Sequence, residues 1–293
     1  MNGGMPYLEN LKIRGLSLKN FPSGQLPSAV KSLFIYNCME LETLPMRMVQ
    51  QCTTLENLNI FECIKVKSLA VDCLQSLDNL TCLKITGCKG LKSFPESGFF
   101  IPNLMFLFIS DCKILKSLPS RMDNLTSLQI LFIVECPNVV SVPEGGFPPK
   151  LISLEIDCPN LKQHMSEWGL KRLTSLESFS IDWICPPNDV LPTSLTSFCM
   201  ANVSNLKSIS KGLLQNLNFL QSLYIEDCPK LWSLPKDGLP PSLGQLIIRN
   251  CPLLKQWCLE EKGDYWPLIY NIPCIKIDET HPSFALTDFW LLF

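Results

Sequence analysis

Leu80-Thr81-Cys82-Leu83-Lys84-Ile85-Thr86-Gly87-Cys88-Lys89-Gly90-Leu91 is the stretch that decides the fold. Reduced to Leu-x-x-Leu-x-Ile-x-x-Cys-x-x-Leu, it returns at Leu104, Leu107, Ile109, Cys112 and Leu115. It returns again at Leu220, Leu223, Ile225, Cys228 and Leu231. The first apolar position of each copy falls at Leu8, Val30, Leu55, Leu80, Leu104, Leu128, Leu151, Leu176, Leu195, Leu220 and Leu243. Eleven copies therefore cover about residues 8–257, in steps of 19 to 25 residues.

That period and phrase predict a leucine-rich-repeat solenoid, an α/β horseshoe. Each copy holds a short strand. In Leu104–Ser110, Leu107 and Ile109 point to one face, and Phe106, Phe108 and Ser110 to the other. Leu104 and Leu115 turn inward from the bends on either side. One copy cannot bury these residues alone; stacked copies build a continuous core and a parallel concave sheet. After the strand, Leu41 to Pro45, Leu115 to Pro119 and Leu231 to Pro235 run Leu-x-x-Leu-Pro. Proline removes a donor and disfavours helix in the residue before it. The convex side is thus expected to be mostly irregular, with a few short helices such as one turn near Asp123–Leu128. Ile156-Asp157-Cys158 is one residue short and Ile181 to Cys185 one residue long, which predicts an irregularity over roughly 156–195.

Cysteine follows the strand at Cys38, Cys63, Cys88, Cys112, Cys136, Cys228 and Cys251. These are read as structural repeat cysteines, small hydrophobes with a weak donor. They account for much of a cysteine count of fifteen without disulfides, and a reducing cytoplasmic or nuclear compartment is the simpler reading. There is no Cys-x-x-Cys, so no compact zinc site is expected. The two histidines, His164 and His281, stand in no metal-spaced cluster. No phosphate loop or nucleophile elbow occurs. Cys52, Cys73, Cys82 and Cys199 lie outside the repeat slot, with no base near them in sequence. The expectation is a non-enzyme with no cofactor and no metal. A net charge of -2 gives no nucleic-acid footprint, and no apolar run approaches the roughly 18 residues of a membrane span.

Recognition then falls to the outward strand positions. Over the first four copies these carry Lys12, Arg14 and Lys84 against Glu62. Over the next six they carry Asp111, Glu135, Glu155, Asp157, Asp182, Glu226 and Asp227 and no base; Arg249 follows in the eleventh. Phe106, Phe108, Ile130, Phe132 and Val134 form an apolar patch at the centre, because neighbouring strands are only about 4.8 Å apart. Such patches mark interaction sites, and aromatic anchors dominate binding energy. The expected partner-binding residues are Phe106, Phe108, Ile130, Phe132, Glu155, Asp182, Trp183, Tyr224 and Glu226.

The cysteine-bearing phrase, the Leu-x-x-Leu-Pro bends and the Leu-Pro-x-Ser-Leu connectors resemble the repeat region of plant nucleotide-binding leucine-rich-repeat disease-resistance proteins of the coiled-coil class. Cys251-Pro252, Cys258 to Trp266-Pro267 and Ile272-Pro273-Cys274-Ile275-Lys276-Ile277-Asp278 look like that family's terminal cap. The resemblance covers about residues 8–278. It implies the sensing and autoregulatory end of an intracellular plant immune receptor. Its partners would be a pathogen effector, a guarded host protein or the receptor's own nucleotide-binding domain. Nucleotide binding itself is not carried over, because the phosphate loop is missing. The domain reading is a repeat domain at 1–278, of about eleven repeats plus a C-terminal cap, and a tail at 279–293. The apolar start lacks a recognisable cap, which suggests further repeats upstream. The competing reading is a general repeat scaffold, such as a ubiquitin-ligase substrate adaptor.

Overall fold

The computed structural model describes residues 7–278, apart from 18, 20–25, 44–51, 70–76, 96–97, 99, 144, 162–164, 184, 189, 236–237 and 259–262. Cys73, His164, His281 and the 279–293 tail lie outside the described residues. One sheet runs through the chain in sequence order, every neighbouring pair parallel. Its strands are β1 (Asn10–Arg14), β2 (Ser32–Tyr36), β3 (Asn57–Phe61), β4 (Cys82–Thr86), β5 (Phe106–Ser110) and β6 (Ile130–Val134). They continue with β7 (Ser153–Ile156), β8 (Ser178–Asp182), β9 (Ser197–Ala201), β10 (Ser222–Glu226), β11 (Gln245–Arg249) and β12 (Cys274–Ile277). The first eleven fall in the eleven copies of the phrase. The register matches copy to copy: Leu83 aligns with Leu58 and Leu107, and Ile85 with Ile60 and Ile109.

The molecule is a leucine-rich-repeat solenoid with its sheet on the concave side. The inward columns are closed to solvent. Leu80, Leu83, Leu91, Leu104, Leu107, Ile109 and Leu115 are all fully buried. They join one continuous core running from Leu26 to Ile269. Among the described residues the opposite side carries short helical pieces, including Met122–Asn124, Met165–Trp168, Leu170–Arg172 and Lys211–Leu214. The prolines and the short return path between strands disfavour longer helices there.

The repeat cysteines show why the slot takes this residue. Each is buried and free. Each thiol points at the carbonyl two residues earlier: Cys38 to Tyr36 at 3.4 Å, Cys136 to Val134 at 3.3 Å, Cys228 to Glu226 at 3.2 Å, Cys251 to Arg249 at 3.1 Å. A thiol fills the apolar slot and still offers that carbonyl a weak donor. Val203 keeps the burial in the ninth copy without the donor.

The residue just after the strand turns left-handed. Gly15, Asn37, Glu62, Gly87, Asp111, Glu135, Trp183, Asn202, Asp227, Asn250 and Asp278 all have φ between 48° and 70°. Asparagine, aspartate and glycine tolerate this region; glutamate and tryptophan do so at a cost. Among the described residues β7 alone lacks the step, because Ile156-Asp157-Cys158 is one residue short. Its Cys158 still reaches the core, at 1% exposure.

Beyond β11 the chain forms a helix at Pro252–Cys258, a helical turn at Trp266–Ile269 and then β12, which pairs with β11. Leu254, Cys258 and Ile269 are buried, and the hydroxyls of Tyr265 and Ser233 bond at 2.7 Å.

Candidate functional site: the concave face

The register puts three rows of side chains on the open face of the sheet. The central row reads Lys12, Phe34, Asn59, Lys84, Phe108, Phe132, Glu155, Ser180, Cys199, Tyr224, Ile247 and Lys276. Beside it lies a row that turns to small hydroxyls in the later copies: Ser153, Ser178, Ser197 and Ser222.

The expected patch is contiguous, but not all of it is open. Phe106, Phe108 and Ile130 are half-buried. Phe132, expected to be exposed, is only 3% exposed. It stacks on Phe108 with ring centroids 5.2 Å apart and has Glu155 on its other side in register. Large side chains on adjacent strands of a parallel sheet are close enough to cover one another. Phe132 therefore behaves as a floor beneath the patch rather than as a contact surface. Trp183 is the most open of the expected residues, at 46% exposure. Tyr224 is half-buried and donates from its hydroxyl to Gln245 Oε1 at 3.0 Å. Tyr224 and Glu226 lie on β10, three strands and about 14 Å from Glu155.

The acids of the later copies are mostly tied down. Lys113 bridges Asp111 and Glu135, at 2.9 Å to each. Trp183 Nε1 donates to Asp157 Oδ1 at 2.7 Å, and Asn202 Nδ2 to Asp182 Oδ2 at 2.9 Å. Arg249 pairs with Glu226 at 3.3 Å, and Asn250 donates to Asp227 at 3.0 Å. Glu155 differs: its Oε2 is buried and accepts no hydrogen bond. Burial, reinforced by Asp182 and Asp157, pushes its carboxyl up to about 8. Burial also lifts Asp182 to about 6, against the pull of the Asn202 bond. Glu226 is raised by burial, against the pull of Arg249.

The bases of the early copies are not tied down. Lys12 lies 5.5 Å from the ring centroid of Phe34, and Lys84 lies 4.8 Å from that of Phe108. Among the described residues no carboxylate pairs with Lys12, Arg14 or Lys84. Two cavities open in this half. One, of about 460 Å³, is lined by Lys12, Arg14, Tyr36, Asn37, Phe61, Glu62 and Thr86. The other, of about 340 Å³, spans β2 to β5 and includes Phe34, Asn59, Lys84, Phe106 and Phe108. Sequence reasoning passed over Asn59, which looks like any outward polar residue. The aromatic residues Phe34 and Phe108, one copy before it and two copies after it, were the available signal.

The described thiols are poorly placed to act as nucleophiles. Burial pushes the thiols of Cys82 and Cys63 up to about 11 and that of Cys88 to about 12, and raises Cys199 as well. Cys52 is 2% exposed. A thiol held protonated and buried is a poor nucleophile. Among the described residues no three of His, Cys, Asp and Glu gather as a metal site. No described helix is long and apolar enough to cross a membrane.

Repeat phrase, parallel sheet and open concave face together define a leucine-rich-repeat interaction module. Its sequence resembles the repeat region of plant disease-resistance proteins. An Arabidopsis thaliana protein named for disease resistance is 31% identical over 141 residues, 46% of this chain. The match spans 10% of that protein's length. A chain of the Toll–Spatzle complex of Drosophila superimposes with a TM-score of 0.64 at 19% identity, covering 98% of this chain and 35% of that one. At that identity the likeness shows the fold alone. No protein-family model matches the sequence.

Proposed function

We propose that this chain is the protein-recognition and autoregulatory module of an intracellular plant immune receptor, with residues 1–278 as its recognition unit. In this reading the concave face binds a pathogen effector, a guarded host protein or the receptor's own nucleotide-binding domain. The observation that carries the reading is an open sheet face with unpaired cations and half-buried aromatics, in a chain resembling a plant disease-resistance protein. Unpaired charge beside apolar surface favours a protein partner that supplies the opposite charge.

The test is proximity labelling in plant cells, with and without pathogen proteins. Wild-type chain is expected to label an effector or a resistance-protein domain. Lys12→Glu combined with Trp183→Ala, in the two halves of the face, should lose that labelling. Lys171→Glu, on the helical side, should keep it. Absence of any such protein, or equal labelling by the concave variant, rejects the proposal.

A further inference from the structure

We infer that the cavity across β2 to β5 is a subsite for an acidic residue flanked by an apolar side chain in a partner polypeptide. This rests on the recognition reading and names the chemistry of one contact within it. Three observations converge. The cavity, about 340 Å³, falls within the roughly 300–1,000 Å³ of ligand pockets. Its walls are the rings of Phe34, Phe106 and Phe108, which suit an apolar side chain. Lys84 brings one ammonium over the Phe108 ring, 4.8 Å from its centroid, and no carboxylate among the described residues neutralises it.

Asn59 is the third. It is 5% exposed, sits between Phe34 and Lys84 in the central row, and lines the cavity. Its side-chain amide has no hydrogen-bond partner among the described residues. The amide lines the cavity, where a bound ligand can hydrogen-bond to it. A peptide backbone offers the matching N–H and C=O. A single flexible ammonium suits one carboxylate; the planar fork of an arginine, which would select a bidentate anion, does not line this cavity. Lys12 and Arg14, in the adjoining cavity, add positive potential that draws an acidic segment toward the same half.

The cavity can be probed directly with the full chain, labelled with nitrogen-15. The probe is the peptide acetyl-Ala-Glu-Phe-Ala-amide, with the Gln version as its partner. Shifts confined to amides of β2 to β5 are expected, with the Gln peptide weaker by about tenfold. Lys84→Gln should erase the difference between the two peptides. Asn59→Leu should weaken both alike. The peptide comparison on wild type stands even if Asn59→Leu folds poorly. Equal binding of the two peptides, shifts elsewhere, or none at millimolar peptide overturns the inference. So does tight binding of 3-phenylpropionate without the peptide, which would assign the cavity to a free small acid. Labelling lost in the Lys12 and Trp183 variant, with no peptide binding, sinks this subsite and leaves the recognition reading standing. If labelling also fails to find a partner, both fall.

Discussion

The two halves of the concave face carry opposite charge and use it differently. In β7 to β11 every acid but Glu155 is consumed within the molecule: Asp157 by Trp183, Asp182 by Asn202, Glu226 by Arg249, Asp227 by Asn250. In β1 to β5 Lys12 and Lys84 rest on aromatic rings, and among the described residues no carboxylate meets them. Counting charges along the sequence makes the later half look the stronger electrostatic site. Geometry reverses that order. A charge already hydrogen-bonded inside its own sheet has less to offer a partner than one held over a ring, which partners can still neutralise.

The largest expected effect concerns the boundary between the halves. Phe132 forms the floor there, so Phe132→Ala should lose about 3–5 kcal/mol of unfolding free energy. Phe106→Ala, half-exposed, should lose distinctly less. Urea melts of the two variants measure the contrast, and equal losses would mean Phe132 is not the buried member.

Next comes pH. The folded carboxyl of Glu155 sits near 8, above its ordinary 4.5. The folded state therefore holds a proton that the unfolded chain releases between those values. Stability from this group is highest at pH below about 4.5, falls as pH rises toward 8, and is flat above. Glu155→Gln should remove that part of the slope. It should stabilise the protein at pH 8.5 by on the order of 2–4 kcal/mol and change little near pH 4.5. Thermal melts at the two pH values give the answer. Asp182, near 6, adds a smaller slope of the same sign that the Gln variant should retain.

The pairing contrast itself can be broken by removing one cation from each half. Arg249→Gln strands the half-buried Glu226 and should cost about 1–3 kcal/mol. Lys84→Gln strands no carboxylate and should cost no more than about 1 kcal/mol, the worth of its contact with Phe108. Comparable losses would erase the distinction between the halves.

The smallest effect lies at the bends. Glu62 holds φ 52° where the next copy uses Gly87 at φ 67°. Glu62→Gly should gain about 0.5–1 kcal/mol, and Gly87→Ala should lose a similar amount. A Cβ on Gly87 would also come within 3.2 Å of Glu62 Cγ. Opposite signs in chemical denaturation are the expected outcome.

Much of the fold was legible because its determinants repeat within one copy. Leu83, Ile85, Cys88 and Leu91 name their burial by spacing alone, and prolines such as Pro119 and Pro235 announce the irregular side. The missing residue at Ile156-Asp157-Cys158 was legible as a defect; the structure shows that the step lost is the left-handed bend. The candidate site was less legible. Phe108 and Phe132 occupy equivalent outward slots, yet one is half-open and the other closed. That difference depends on the neighbouring copy, where Glu155 and Lys84 flank the stacked pair.

The sequence by itself determined the repeat, the inward columns, the cysteine slot and the positions open to the concave side. Each follows from local periodicity and side-chain chemistry read within about two dozen residues. Only the tertiary structure decided which outward residues are covered, which charges are already paired, and that Asn59, Lys84 and three phenylalanine rings share one cavity. Those properties arise between copies stacked side by side, where packing and hydrogen bonding depend on what the next strand presents.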